Sequence, residues 1–279
     1  MSTILITKAS GEREPFSEMK LRRSLQRVGA NPALIETIAA RIESELKEGM
    51  KTSDIYRMAF ALLRKKERPV AARYSLKNAL MELGPTGRPF ERFVGELLKS
   101  EGFETQIARI VQGVCVKHEV DVVGTKSDRH IMVECKFHNR PGLRSDVKIA
   151  LYVQARFEDI EREWKKRPEH GEKFHEVWLV TNTKLTSDAT DYAKCVGMTA
   201  IGWSYPHGDG LETRIDKHGL HPITCLTSLS GSQKRQLVER DIILCVELLK
   251  DLSVLQHVGV SQSKVAAITE EIIHLCHLT

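Results

Sequence analysis

Three side chains in the stretch His118–Phe137 (HEVDVVGTKSDRHIMVECKF) could do chemistry together: Asp121, Glu134 and Lys136. The stretch reads as a β-hairpin, with an alternating run at 120–124, a polar turn at 125–129 and a second alternating run from His130. Successive strand side chains point to opposite faces. Ile131, Val133, Cys135 and Phe137 therefore share one apolar face, and Met132, Glu134 and Lys136 the other. Pairing of the strands brings Asp121 beside Glu134. Two acids and a lysine on a partly buried face are costly unless something compensates their charge. A divalent cation would: Mg²⁺ takes one or two carboxylates together with waters and substrate phosphate. Such a cation activates water and neutralises a phosphoryl oxygen, and Lys136 would stand beside the attacked phosphate or the metal-bound water. Glu-x-Lys alone serves equally well as a solvent-facing pair on an edge strand. Asp121 in the preceding strand and the interleaved apolar residues favour a site.

Asp121, twelve residues, then Glu134-Cys135-Lys136 resembles the signature of the PD-(D/E)XK nuclease superfamily, and the surrounding text its Mrr-like restriction endonuclease branch. Phe90-Glu91 on an amphipathic helix, Glu119-Val120-Asp121-Val122-Val123, and Val180-Thr181-Asn182 before a helix with Ala189 and Ala193 match as well. The resemblance spans about residues 86 to 205. It implies a Mg²⁺-dependent DNA endonuclease in which Asp121 and Glu134 bind the metal, with the Cys135 carbonyl as a further ligand. Glu91 would be an auxiliary acid that orients the metal; an exposed helix glutamate is the other reading.

The elements that must position these groups follow from periodicity. After the breaker cluster at 84–89, Phe90, Phe93, Val94, Leu97 and Leu98 mark one helical face. A strand near 106–111 leads into the hairpin. A long helix begins near Asp146 with Ser145 as a cap, and Val147, Ala150, Leu151, Phe157, Ile160 and Trp164 form its stripe. Gln154 falls inside that stripe and needs a partner; it could reach DNA or the metal site, or satisfy a buried backbone group. The charged run 162–173 reads as a surface loop. A strand at 175–180, a helix at 186–196 and a strand at 198–203 complete an α/β sandwich with a mixed sheet. His118 and His138 have no second ligand at metal spacing and read as semi-buried structural residues, with surface or phosphate contact as the other reading.

The front of the chain reads as a short hairpin and a small helical bundle. Ser17 caps the first helix, Leu34, Ile35, Ile38, Ala39, Ile42 and Leu46 stripe a second over 32–48, Thr52 or Ser53 caps a third, and a fourth spans about 69–83. The text Ile6-Thr7-Lys8, Glu14 through Lys20, Lys51 through Ile55 and Ala71-Ala72-Arg73-Tyr74 resembles an ATP-cone, the nucleotide-sensing module of ribonucleotide reductases and their repressor. The resemblance covers residues 3–85 and implies that Lys8, Glu14, Phe16, Lys20 and Thr52 bind ATP or dATP. Lysines reaching phosphates and free N–H groups at a helix start agree with that. Ala9 stands where many members carry arginine, and the last helix lacks a lysine after Lys77. No glycine-rich loop precedes Lys51-Thr52, so the nucleotide is expected to be sensed and not hydrolysed.

Three segments are expected: residues 1–85 (ATP-cone), 86–225 (restriction-endonuclease-like) and 226–279 (C-terminal helices). The net charge of +5 sits in the front. Residues 1–86 carry sixteen basic against ten acidic side chains, 87–225 carry twenty-one of each, and 226–279 five against six. An anionic ligand or DNA is therefore expected at the front of the chain. Six scattered cysteines without metal spacing fit reduced thiols in a cytoplasmic protein, and no apolar run is long enough for a membrane helix. Apolar helical patterns at 231–251 and 261–278 must pack on the nuclease segment, on each other or on a second subunit, which suggests a homo-oligomer. Two other function classes fit these observations: a non-catalytic, nucleotide-responsive DNA-binding regulator, and an oligomerisation switch.

Overall fold

The computed structural model describes residues 4–168 and 174–277. It falls into two compact units, Met1–Ala79 with His221–Thr279, and Leu80–Leu220.

The first unit opens with β1 (Leu5–Thr7) and β2 (Arg13–Pro15), an antiparallel pair in which Leu5 faces Pro15. Helices α1 (Glu18–Arg27), α2 (Pro32–Glu45), α3 (Thr52–Lys66) and α4 (Arg68–Met81) follow. Ser17 caps α1 by accepting from the Lys20 N–H at 3.3 Å, as its position before the helix predicts. Asn31 does the same for α2, with Pro32 at the first turn where its missing N–H costs nothing. Leu34, Ile35, Ile38, Ala39 and Ile42 are buried as the stripe predicts, and α2 stops before Leu46. Helix α3 is preceded by Lys51, and no side chain caps it; Thr52 is its first residue and not its cap.

The C-terminal segment packs inside this same unit. Thr224 Oγ1 donates to the Ala79 carbonyl at 2.6 Å, and Arg64 Nη2 to the Thr227 carbonyl at 3.1 Å. The expected helix over 231–251 is interrupted: its first part covers Gly231–Glu239. Asp241 then takes a left-handed conformation (φ 64°) that an aspartate tolerates. A one-turn helix at Cys245–Leu248 follows, with its start satisfied by Glu247, which accepts from the Ile243 and Leu244 N–H groups. After another single turn at Val254–His257, the last helix spans Gln262–Leu275. Its Glu271 is buried and accepts from both the N–H and the hydroxyl of Thr227 and of Ser228. Cysteines scattered in sequence converge here: the Cys276 thiol hydrogen-bonds Cys245 and His221, with Cys225 buried nearby.

In the second unit α5 (Arg88–Ser100) precedes β3 (Glu104–Gln112), β4 (Lys117–Lys126), β5 (Arg129–Lys136), the short β6 (Arg144–Ser145), α6 (Val147–Trp164), β7 (Phe174–Thr181), the short β8 (Lys184–Leu185), α7 (Ser187–Cys195) and β9 (Thr199–Ile201). A helix at Leu211–His218, which sequence periodicity does not reveal, follows them. The main sheet runs β3-β4-β5-β7-β9, antiparallel as far as β5 and parallel beyond, a mixed sheet as expected. The β4–β5 turn is tighter than the five residues expected, with only Ser127 and Asp128 between the strands and Ser127 at φ 49°. Of the charged run 162–173, Arg162–Trp164 still belong to α6, and residues 169–173 lie outside the described residues.

Both faces of the sheet are covered. Phe90 of α5 lies 5.7 Å from the Phe137 ring, on the side of Ile131, Val133 and Cys135. Ala150, Val153, Phe157, Ile160 and Trp164 of α6 pack with Met132, Val123, Val177 and Leu179 on the other. Helix α6 is capped by Asp146 and not by Ser145, which is buried. Its buried stripe also differs from the expected one. Leu151 is 47% exposed, whereas Arg156 and Asp159 are buried.

Asp159 is the anchor of the β3–β4 turn. Its carboxylate accepts from the Cys115 N–H at 2.9 Å and the Val116 N–H at 3.3 Å, and pairs with His118 Nε2 at 2.9 Å. His118 is thus a structural residue, and its proximity holds the Asp159 carboxyl well below the usual range. A Cβ on Gly113 would overlap Asp159 Oδ2 and come within 2.8 Å of the Val116 carbonyl. Gly113→Ala should therefore lower unfolding stability by about 1–3 kcal/mol, the usual cost of overpacking. A urea midpoint equal to that of the parent chain would show that this knot does not hold the turn.

Candidate active site

The site forms where β4 and β5 part. Their ladder pairs Val122 with Val133 and then ends, so that Asp121 and Glu134 face each other one step beyond the last rung. The backbone N–H of Cys135, left without a β4 partner, donates to Asp121 Oδ2 at 2.7 Å. The side chain thus takes the role of the missing strand carbonyl, and the carboxylate is held in place by the divergence itself. β5 continues on its other edge against β7, Glu134 opposite Leu179 and Lys136 opposite Thr181. Asp121, Glu134 and Lys136 are all partly buried.

Helix α5 delivers a third carboxylate. Glu91 sits on its first turn, half-buried, within electrostatic reach of Asp121, Glu119 and Glu134. Burial and these three negative neighbours push it from 4.5 to about 7, against the opposing pull of Arg88. Burial also raises Asp121, which the Cys135 N–H and Arg156 partly offset. Glu134 is raised by burial and by Asp121, and lowered in turn by Arg156 and Lys136. The pattern is an excess of negative charge in poorly hydrated surroundings, a place that attracts cations.

Of the predicted residues, Asp121, Glu134 and Lys136 lie together, and Glu91 is within electrostatic reach of both acids. Gln154 does not join them by any hydrogen bond: it donates to Glu158 at 3.0 Å, and its Oε1 is buried without a protein partner. The Cys135 side chain is buried and its thiol pushed well up by burial, so its part in the site is through its backbone. Arg156 and Glu119 are the members that sequence reasoning missed. The Arg156 guanidinium pairs with Glu134 and donates to the Glu119 carbonyl. A signal for it existed, since a charged residue beside Phe157 in an apolar helical stripe needs a buried partner as much as Gln154 does. His138 hydrogen-bonds Ser145 Oγ at 3.0 Å, and its backbone N–H and C=O are clamped by the Asn182 amide at 2.9 and 2.8 Å. Burial and the nearby Lys136 lower the proton affinity of its ring. Among the described residues no three His, Cys, Asp or Glu side chains are arranged to hold a metal ion by themselves.

In the first unit, the β1–β2 hairpin carries Glu14 to Lys8 (2.8 Å) and Lys20 (3.3 Å). The two ammonium groups lower the Glu14 carboxyl, and Glu14 and Glu12 raise Lys8. A parallel bridge between Thr7 and Lys51 sets the start of α3, with Thr52, beside Lys8. Phe16 packs against the core of this unit.

Three family models match the chain: an ATP cone domain over residues 4–80, a restriction endonuclease domain over 84–201, and an AF1548-like C-terminal region over 221–276. A protein of Archaeoglobus fulgidus, named only as uncharacterized, is 37% identical over 179 residues, 64% of this chain and 97% of the relative. The chain belongs to the AF1548-like family. It joins an ATP-cone to an Mrr-type restriction-endonuclease domain. A crystal structure titled as a protein of unknown function, AF1548, superposes with a TM-score of 0.55 at 34% identity, covering 70% of this chain and all of that one. Among the described residues no helix is long and apolar enough to cross a membrane.

The raised Glu91 of the restriction-endonuclease domain gives a pH test. Its folded value lies above its ordinary one, so the folded state holds the extra proton between about pH 4.5 and 7. Stability falls as pH rises through that window, and the full penalty is present above it. Glu91→Gln removes the penalty, so without metal it should raise Tm at pH 8 and leave it unchanged at pH 5. Equal Tm differences at both pH values would show that this carboxyl carries no burden.

Proposed function

We propose that this AF1548-like chain is a Mg²⁺-dependent DNA endonuclease whose ATP-cone senses adenine nucleotide. The observation that carries the reading is the meeting of Asp121 and Glu134, both raised in proton affinity, with Lys136 at the parting of β4 and β5. The donor set suits a hard cation, since Mg²⁺ uses one or two carboxylates and fills its shell with water and phosphate. Asp121 and Glu134 would hold it, with the Cys135 carbonyl as a further ligand. When bound, the ion supplies Lewis acidity at a phosphoryl oxygen and a more acidic water. The Lys136 ammonium neutralises charge on the attacked phosphodiester and orients the water, and Glu91 supports the pair from α5. Gln154, whose Oε1 has no protein partner, would contact DNA or the metal site through its amide.

In the ATP-cone, Lys8 and Lys20 share Glu14 and would turn to phosphate when nucleotide binds. Thr52 opens α3, whose first turn has no side-chain cap and favours an anion. Phe16 supports the binding hairpin from the core. Without a glycine-rich phosphate loop, nucleotide would act by its occupancy.

A cleavage assay on methylated and unmethylated supercoiled plasmid, with and without Mg²⁺, ATP and dATP, tests this. Nicking or linearisation that requires Mg²⁺ and changes with nucleotide is expected. No Mg²⁺-dependent cut on any DNA would refute the enzymatic part. Cleavage indifferent to both nucleotides would refute the sensing part.

A further inference from the structure

Arg156 is a charged residue on the core-facing side of α6, 9% exposed. Its guanidinium spans two strands: it pairs with Glu134 on β5 and donates to the Glu119 carbonyl on β4. On its outer side it lies 5.2 Å from the ring of Tyr152, a residue 60% exposed to solvent. It therefore sits between Glu134 and a solvent-exposed ring. Arg156 and Lys136 are the cations acting on Asp121 and Glu134, and the further carboxylates of Glu119 and Glu91 lie within electrostatic reach.

Burying an ion pair is expensive, and a purely structural side chain of that size would pack there at less cost. We propose that Arg156 is a built-in competitor for the metal: it pairs with Glu134 while no cation is bound, and it must release that carboxylate as a divalent ion arrives. This rests on the reading of Asp121 and Glu134 as a hard-cation site. The effect would be to hold the restriction-endonuclease domain in an unloaded state at low Mg²⁺ and to set the concentration at which it loads. Tyr152 gives the released guanidinium a surface on which to stack, a favourable cation–π contact.

The test measures Mg²⁺ binding by calorimetry, independent of cleavage, in the full chain and in Arg156→Met and Asp121→Asn. Removing a unit charge next to a divalent ion should tighten Mg²⁺ binding by about tenfold or more in Arg156→Met. Unchanged or weaker binding in that variant would overturn the competitor role while leaving the metal site standing. Absence of Mg²⁺ binding sensitive to Asp121→Asn in both proteins would overturn the metal reading, and this inference with it. Should Arg156→Met fail to fold, the parent chain still decides. Its ¹⁵N-arginine spectrum, with Arg156 assigned through Arg156→Lys, should show that guanidinium shifting and exchanging faster as Mg²⁺ saturates. An unmoved signal at saturation would overturn the proposal.

Discussion

Asp121→Asn should lower Mg²⁺-dependent DNA cleavage by about three orders of magnitude and leave the restriction-endonuclease domain folded. The loss follows from charge. Transition-state stabilisation by preorganised charges in a dry site commonly carries 10²–10³ in rate for a single group, and Asp121 is proposed as one of only two carboxylates on the metal. The intact fold follows from geometry. The Cys135 N–H that Asp121 accepts can be accepted by the asparagine amide oxygen. Burial already penalises the ionised Asp121, and Asp121 in turn raises Glu134. Removing its charge should leave Tm unchanged or slightly raised. Glu134→Gln should lose activity to a similar extent. It also strips Arg156 of its charged partner, so a stability loss accompanies it. Cleavage by Asp121→Asn within tenfold of the parent chain would show that the pair does not hold the catalytic metal.

Glu271→Ala should cost about 3–5 kcal/mol of unfolding stability, the usual loss when a buried polar network is broken. The carboxylate is buried and accepts four hydrogen bonds, two from Thr227 and two from Ser228. Truncation leaves two backbone N–H groups and two hydroxyls without their acceptor, and an unsatisfied buried donor costs about 1–3 kcal/mol. The loop it holds also receives Arg64 of α3 at the Thr227 carbonyl. The loss should therefore spread to the ATP-cone, and α3 should unfold in the same transition as the C-terminal helices. Glu271→Gln keeps an acceptor for one residue of the pair and should lose about half as much. Urea denaturation followed by far-UV circular dichroism measures both. A midpoint for Glu271→Ala within error of the parent would show that solvent replaces the carboxylate without penalty.

The loss of cleavage at Asp121 is within reach of the linear text, and the stability loss at Glu271 is not. Asp121, Glu134 and Lys136 were legible because strand periodicity is strict: once two alternating runs are joined by a polar turn, their facing residues follow. Glu91 was legible through the resemblance and the helix stripe. Arg156 was not, because a long flexible side chain has no periodicity of its own, and its partners lie on strands 22 and 37 residues away. The same limit applies to Asp159. Its partners Cys115, Val116 and His118 sit in the β3–β4 turn and at the start of β4, more than forty residues earlier. At the C-terminus, the apolar period over 231–251 suggested one helix. The left-handed Asp241 and the capping by Glu247 divide it, and neither alters the hydrophobic pattern.

The amino-acid order by itself determined most of the helices and strands, the mixed α/β sheet and the nucleotide-module motifs, and it set Asp121 and Glu134 on facing strand positions with Lys136 beside them. These depend on neighbours a few residues apart, or on strands joined by a tight turn, where local geometry leaves few choices. Tertiary structure alone decided which charges balance the carboxylates, that the last helices close on the ATP-cone, and how Glu271 ties the Thr227–Ser228 loop. Those outcomes depend on which buried polar groups find partners across long stretches of chain, where the low-dielectric interior makes an unmatched charge too costly to keep.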